Sequence, residues 1–260
     1  MNKFLLKALV LASVNIAMFA NAQFRTRNRM DKLEEFDEQK FSWGFYLNGN
    51  KLDYRIVLNP TYGMNGNQNL VTSKESYSFG AGLIAKWRLN DYLDLRLEPG
   101  LQFGQRELNF NTQSNDFYQH GTLTNPAFTP IPLTDKDKTR QIKSTLVDIP
   151  FMLELHGHRW YNSRPYVAAG VNYIVNLQSN ADSTDDNMQQ VFRSTTHNFG
   201  WSAEMGIQLY FNKFKLTPAI RGTFIMNNEV VSDNATTPPY WTAAMSTLQT
   251  RAVMFVLKFE

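Results

Sequence analysis

Along most of the chain, apolar side chains recur at every second position. Tyr77, Phe79, Ala81, Leu83, Ala85 and Trp87 alternate with Ser78, Gly80, Gly82, Ile84 and Lys86. A period of two puts successive side chains on opposite faces of a β-strand. The same alternation marks 93–103, 147–155, 167–177, 199–209, 214–224 and 253–259. The first strand is less regular: Trp43, Phe45 and Leu47 share one parity, whereas Tyr54, Ile56 and Leu58 share the other. A β-bulge within 49–53 is predicted to reconcile them. The pattern predicts eight strands.

The connections between strands alternate in length. Long segments (59–76, 105–142, 178–195, 227–248) take turns with short ones (90–91, 157–163, 212–213). That order is expected of an up-and-down antiparallel barrel in an outer membrane, with short turns in the periplasm and long loops outside. Both chain ends then lie on the periplasmic side. After residue 23 no run of 18 apolar residues exists, so no membrane helix is expected. The fold class read here is all-β: an eight-stranded antiparallel transmembrane β-barrel following a cleaved signal peptide. Aromatics bordering the short turns and termini add to it: Trp43, Trp87, Tyr92, Trp160, Tyr161, Tyr210, Phe211, Phe214 and Phe259 read as a periplasmic interfacial girdle.

A strand edge facing hydrocarbon would leave its amides unpaired, so the sheet must close. Eight strands leave an interior that side chains just fill. The opposite parity supplies Lys86, Arg88, Asp94, Arg96, Glu98, Asp148, Glu154, Glu204, Arg221 and Lys258, with glycines at 80, 82, 104, 170, 200 and 206 making room. Unpaired, these charges would be costly to bury; paired, they form an ionic plug, and a diffusion pore is not expected.

Charge and composition alter the picture at the start of the chain. Lys3 and Lys7 precede an apolar stretch over 8–20, followed by Ala20-Asn21-Ala22. This reads as a signal peptide (1–22) cleaved before Gln23. Of the net charge of +3 over 260 residues, the leader accounts for two, leaving +1. Such a chain has no basic excess for nucleic acid. There is no cysteine, which excludes disulfides, thiol nucleophiles and Cys-based zinc sites. Residues 23–41 read as a charged periplasmic arm, either a solvated tether or a docking arm carrying Leu33 and Phe36, and 42–260 as the barrel.

Candidate chemistry is sparse. His156 and His158 flank Gly157 as a pair of exposed turn imidazoles with no third metal ligand evident. His197 has Ser194, Asp182 and Asp185 nearby in sequence, but a loop of this composition offers as much without catalysis. Asp182-Ser183-Thr184-Asp185-Asp186-Asn187 lacks the glycine and distal glutamate of a calcium loop. Pro126, Pro130, Pro132, Pro238 and Pro239 stiffen two long loops for contact rather than chemistry. No catalytic residue, metal or cofactor is expected. The ending Phe255-Val256-Leu257-Lys258-Phe259-Glu260 resembles the C-terminal aromatic signal read by barrel-assembly machinery, with Glu260 added behind the aromatic.

Several runs together resemble the PorT family of Bacteroidetes outer-membrane proteins. They are Phe36-Asp37-Glu38-Gln39-Lys40-Phe41-Ser42-Trp43-Gly44-Phe45, Leu95-Arg96-Leu97-Glu98-Pro99-Gly100-Leu101 with Arg106-Glu107-Leu108, and Lys143-Ser144-Thr145. Ile149-Pro150, Asn162-Ser163-Arg164-Pro165-Tyr166 and Gly170 complete the set. The resemblance implies a non-enzymatic accessory or assembly role in the type IX secretion system, and in gliding where species are motile. Its partners would be outer-membrane lipid, other secretion-system envelope proteins, and the assembly machinery during insertion. The alternatives are a generic small barrel with a structural, ligand-binding or adhesive role, and a barrel enzyme.

Overall fold

A computed structural model describes residues 32–58, 71–110, 136–234 and 241–260. Residues 1–22, read above as a signal peptide, and the five loop prolines singled out there lie outside them. Ten strand segments follow in order: β1 (Phe41–Leu58), β2 (Val71–Lys74), β3 (Ser76–Arg88), β4 (Leu93–Leu97), β5 (Gly100–Phe110), β6 (Thr139–His156), β7 (Ser163–Asn176), β8 (His197–Tyr210), β9 (Lys215–Ile225) and β10 (Met245–Phe259). β2 and β3 are one strand interrupted at Glu75, and β4 and β5 one interrupted at Glu98 and Pro99. Proline has no N–H for the ladder. Hydrogen bonds carry on across that break, from the Leu83 amide to the Pro99 carbonyl (2.9 Å) and from the Glu98 amide to the Pro150 carbonyl (3.1 Å).

The ten segments therefore make eight barrel strands, all antiparallel, and the ring closes where β1 pairs with β10 from Phe45 opposite Phe259 to Val57 opposite Thr247. No bulge interrupts β1 within 49–53: its register with β10 is unbroken there, and with β3 it runs unbroken from Phe41 to Leu52. The parity of its apolar residues changes because the surroundings of the strand change. Below Gly49 the outward positions are Phe41, Trp43, Phe45 and Leu47, all exposed; above it they are Lys51, Asp53 and Arg55, while Leu52 and Tyr54 turn inward and are buried. β6 inverts likewise. Gln141 and Lys143 face out over buried Ile142, then Phe151, Leu153 and Leu155 face out over buried Met152 and Glu154.

The strands also run further than the apolar alternation suggests. β5 continues to Phe110 and β6 starts at Thr139, inside the loop expected over 105–142. Backbone pairing persists there, although an outer face in water carries polar side chains. Arg251, on the same face of β10 as Val253, is exposed for that reason.

Two interior zones result. Toward the long-loop end, Tyr54, Leu108, Phe110, Ile142, Phe192, Trp241 and Leu248 form an apolar cluster. Toward the short-turn end the interior is ionic, with Tyr46 and Tyr166 laid against glycines. A Cβ on Gly82 would sit 2.5 Å from the Tyr46 ring, and one on Gly206 2.9 Å from the Tyr166 ring.

Candidate functional site

The ionic zone is built by inward positions of seven strand segments. Arg96 of β4 places Nε 3.0 Å from Glu98 and Nη2 2.6 Å from Glu204 of β8, and its Nη1 pairs with Glu154 of β6. Arg221 of β9 donates through Nε to Glu204 at 2.7 Å and pairs with Glu98 through Nη2. Lys258 of β10 lies 2.8 Å from Glu98 and 2.6 Å from Glu204. Tyr166 donates its hydroxyl to Glu204 (2.7 Å), and Gln208 donates to Glu154 (2.5 Å). Nearer the short turns, Lys86 sits 2.7 Å from Asp94 and 3.6 Å from Glu154, and Lys215 sits 2.8 Å from Glu260. Five cations thus face five carboxylates. Buried charges persist only when opposite charge compensates them, and each of these has a counter-ion within 4.0 Å.

Of the ten residues predicted to fill the lumen, eight join this network. Asp148 is buried but apart from it, accepting a 2.8 Å hydrogen bond from Asn172. Arg88 does not belong. At the end of β3 it turns to Asp91 (2.6 Å) in the short turn, with 30% of its side chain exposed. Three participants escaped the sequence reading: His156, Lys215 and Glu260. His156 is buried and not an exposed turn residue, with Nε2 3.0 Å from Asp94. Its parity with Glu154 was the signal. Asp94, Glu154 and His156 offer ligand atoms all within 4.8 Å of one another, so further metal-ligating groups do surround this histidine. Lys86 already brings a cation against both carboxylates. His158 is exposed and meets the Tyr92 hydroxyl at 3.1 Å. Glu260, the residue behind the terminal aromatic, turns into the lumen while Phe259 stacks outside on Phe45, ring centroids 5.0 Å apart.

Around the short-turn end, Trp43, Trp87, Tyr92, Trp160, Tyr161, Phe211 and Phe214 are exposed, as an interfacial ring requires. Tyr210 is not part of it. It shares the inward parity of Gln208, is 2% exposed, and donates its hydroxyl to Asp37 at 2.7 Å.

That bond belongs to the N-terminal arm, whose residues from Lys32 onward pack on the barrel instead of trailing as a tether. A 3-10 turn, Glu34–Glu38, crosses the mouth. Asp37 also lies 3.4 Å from Arg159 and 3.6 Å from Arg164, and the Lys32 amide donates to Asn162 (2.9 Å). The Arg159 guanidinium covers the Tyr210 ring at 3.8 Å, and the Lys215 ammonium faces the Phe36 ring at 4.8 Å.

The long-loop end is also folded. Arg140 lies over the Trp241 ring (5.0 Å) and donates to the Asn187 carbonyl (2.7 Å). Asp186 caps a short 3-10 turn and accepts from the Asn234 amide (2.9 Å), so this member of the acidic run holds loops together. Asp233 accepts from Asn187 (2.8 Å) and from the Thr242 amide (2.7 Å). Glu229 takes the Thr250 amide. Burial raises the carboxyls of Glu229 and Asp233 above the ordinary range, with hydrogen bonds offsetting part of the effect. The histidine candidate does not assemble with its neighbours. His197 meets the Tyr173 hydroxyl through Nδ1 at 2.7 Å, whereas Ser194 is buried and accepts from Asn176 at 3.2 Å.

Comparison with known proteins places this architecture. A family model described as "Outer membrane protein beta-barrel domain" matches residues 20–230. Neisserial surface protein A resembles the chain at 11% identity and TM-score 0.37, over 85% of this chain and 98% of its own. OprG from Pseudomonas aeruginosa does so at 12% identity and TM-score 0.37, over 83% and 93%. The outer membrane protein AlkL, in lipid bilayers, does so at 9% identity and TM-score 0.42, over 85% and 89%. No curated protein matches by sequence.

Proposed function

We propose, for a chain that belongs to the outer membrane protein β-barrel domain family, that it serves protein export by the type IX secretion system as a non-enzymatic component acting through protein contacts. The protein resides in the outer membrane. One observation carries the reading: the runs that resemble PorT meet in space. Asp37 of the first run pairs with Arg164 of another (3.6 Å) at the short-turn mouth, where Phe36 lines the same small cavity, and Arg96 and Glu98 of a third pair in the ionic core (3.0 Å). A lumen occupied by paired charges serves contact better than passage, because moving a solute through it would strip those ions of their partners. The lipid-facing aromatics anchor the barrel, and the arm and loops are left to meet other envelope proteins.

Deleting the gene should abolish appearance of the system's cargo outside the cell while the outer membrane stays intact, and a wild-type copy should restore it. Normal export in the deletion strain would reject the proposal. It would leave the second reading, a small barrel with a surface role, which the folded, loop-tied outer end favours.

A further inference from the structure

The arm crosses the mouth in a conformation that its own sequence does little to hold. Leu33 begins the 3-10 turn at φ 55°, in the left-handed region, and its side chain supplies no cap. A bulky side chain is disfavoured there, and a single turn has no helical cooperativity. The turn therefore owes its shape to the barrel beneath. The barrel offers it a set of complementary groups: Arg159 and Arg164 for the Asp37 carboxylate, the Tyr210 hydroxyl for the same carboxylate, and the Lys215 ammonium for the Phe36 ring. Two guanidiniums converge here on one acid of the arm, while Lys215, whose counter-ion from within is Glu260, meets the neighbouring aromatic ring.

We propose that the short-turn mouth is a receptor for a short acidic–aromatic turn, filled here in cis by Phe36 and Asp37 and open to the same element on a partner envelope protein. The chemistry selects its occupant. A carboxylate must meet two guanidiniums and a phenol, with an aromatic face one residue away to cover Lys215. A partner carrying that pair displaces the arm, and the released 32–40 segment becomes available to bind in turn. The inference rests on the reading that this barrel works by protein contacts, yet its test uses purified protein and stands or falls apart from any export assay.

The chain has no cysteine, so Gln39→Cys takes a single nitroxide label on the exposed end of the arm. The probe is a synthetic peptide of residues 32–40, compared with its Asp37→Asn version. Full-length labelled protein in nanodiscs should show a restricted label, and adding Phe36→Ala with Asp37→Asn should free it. The probe should bind this double variant at least about tenfold more tightly than the native chain, and the Asn version should bind neither. Arg164→Gln gives a second route: it should free the label and also abolish binding of the probe. A label still restricted in the double variant, equal probe affinity for the two proteins, or no binding to the variant would overturn the proposal.

Discussion

Lys258 sets its ammonium 2.8 Å from the Glu98 carboxylate, joining the closing strand to the break between β4 and β5 across 160 residues of sequence. Glu98 also takes Arg96 and Arg221, so one carboxylate answers three cations at zero solvent exposure. Glu98→Gln should destabilise the barrel by about 3–5 kcal/mol, the cost of leaving buried charge uncompensated. Urea unfolding in micelles measures it, and a loss under about 1 kcal/mol would contradict the shared-counter-ion role.

The same network predicts electrical behaviour. In planar bilayers the native protein should show no nanosiemens steps, because the charges that fill the lumen are held by one another. Steps of that size in native protein would show that the plug opens.

The inversion of the apolar face makes a paired prediction along β5. Leu108→Ala should cost about 2–5 kcal/mol, since Leu108 is fully buried in the apolar cluster. Leu101→Ala, on the outward lipid face and 41% exposed, should cost less than half as much. Equal losses would mean that the long-loop zone is not a packed core.

Acidity should tighten the long-loop end. Glu229 and Asp233 have carboxyls raised by burial, so the folded loop binds protons more firmly than the unfolded one. Their contribution is fully present below the unfolded values, near pH 4, and is lost as pH climbs through the raised folded values. Exchange protection of amides 228–233, corrected for intrinsic rates, should fall as pH climbs through that range. Glu229→Gln should flatten the dependence; an unchanged slope would show that this carboxyl is not responsible.

Legibility in the sequence followed the solvent. Where one face meets lipid and the other a polar lumen, as from Phe199 to Leu209, alternation alone placed each side chain on its face. Where the outer face passes into water, as from Lys51 to Arg55, apolar residues change sides, and the continuous strand β1 looked bulged. Turn ends were the other blind spot. Arg88 keeps the inward parity yet bends to Asp91, while Tyr210 and His156 keep it and stay inside.

By itself the sequence determined the strand number, the closed ring and the identity of most lumen charges, because periodicity of two and the impossibility of an open edge in lipid are local and near-universal constraints. Tertiary structure alone decided which charge pairs with which, that Glu260 turns inward beneath Phe36, and that Asp37 closes the mouth. Those outcomes depend on register and strand tilt, which bring together residues more than a hundred positions apart and leave no mark in any local pattern.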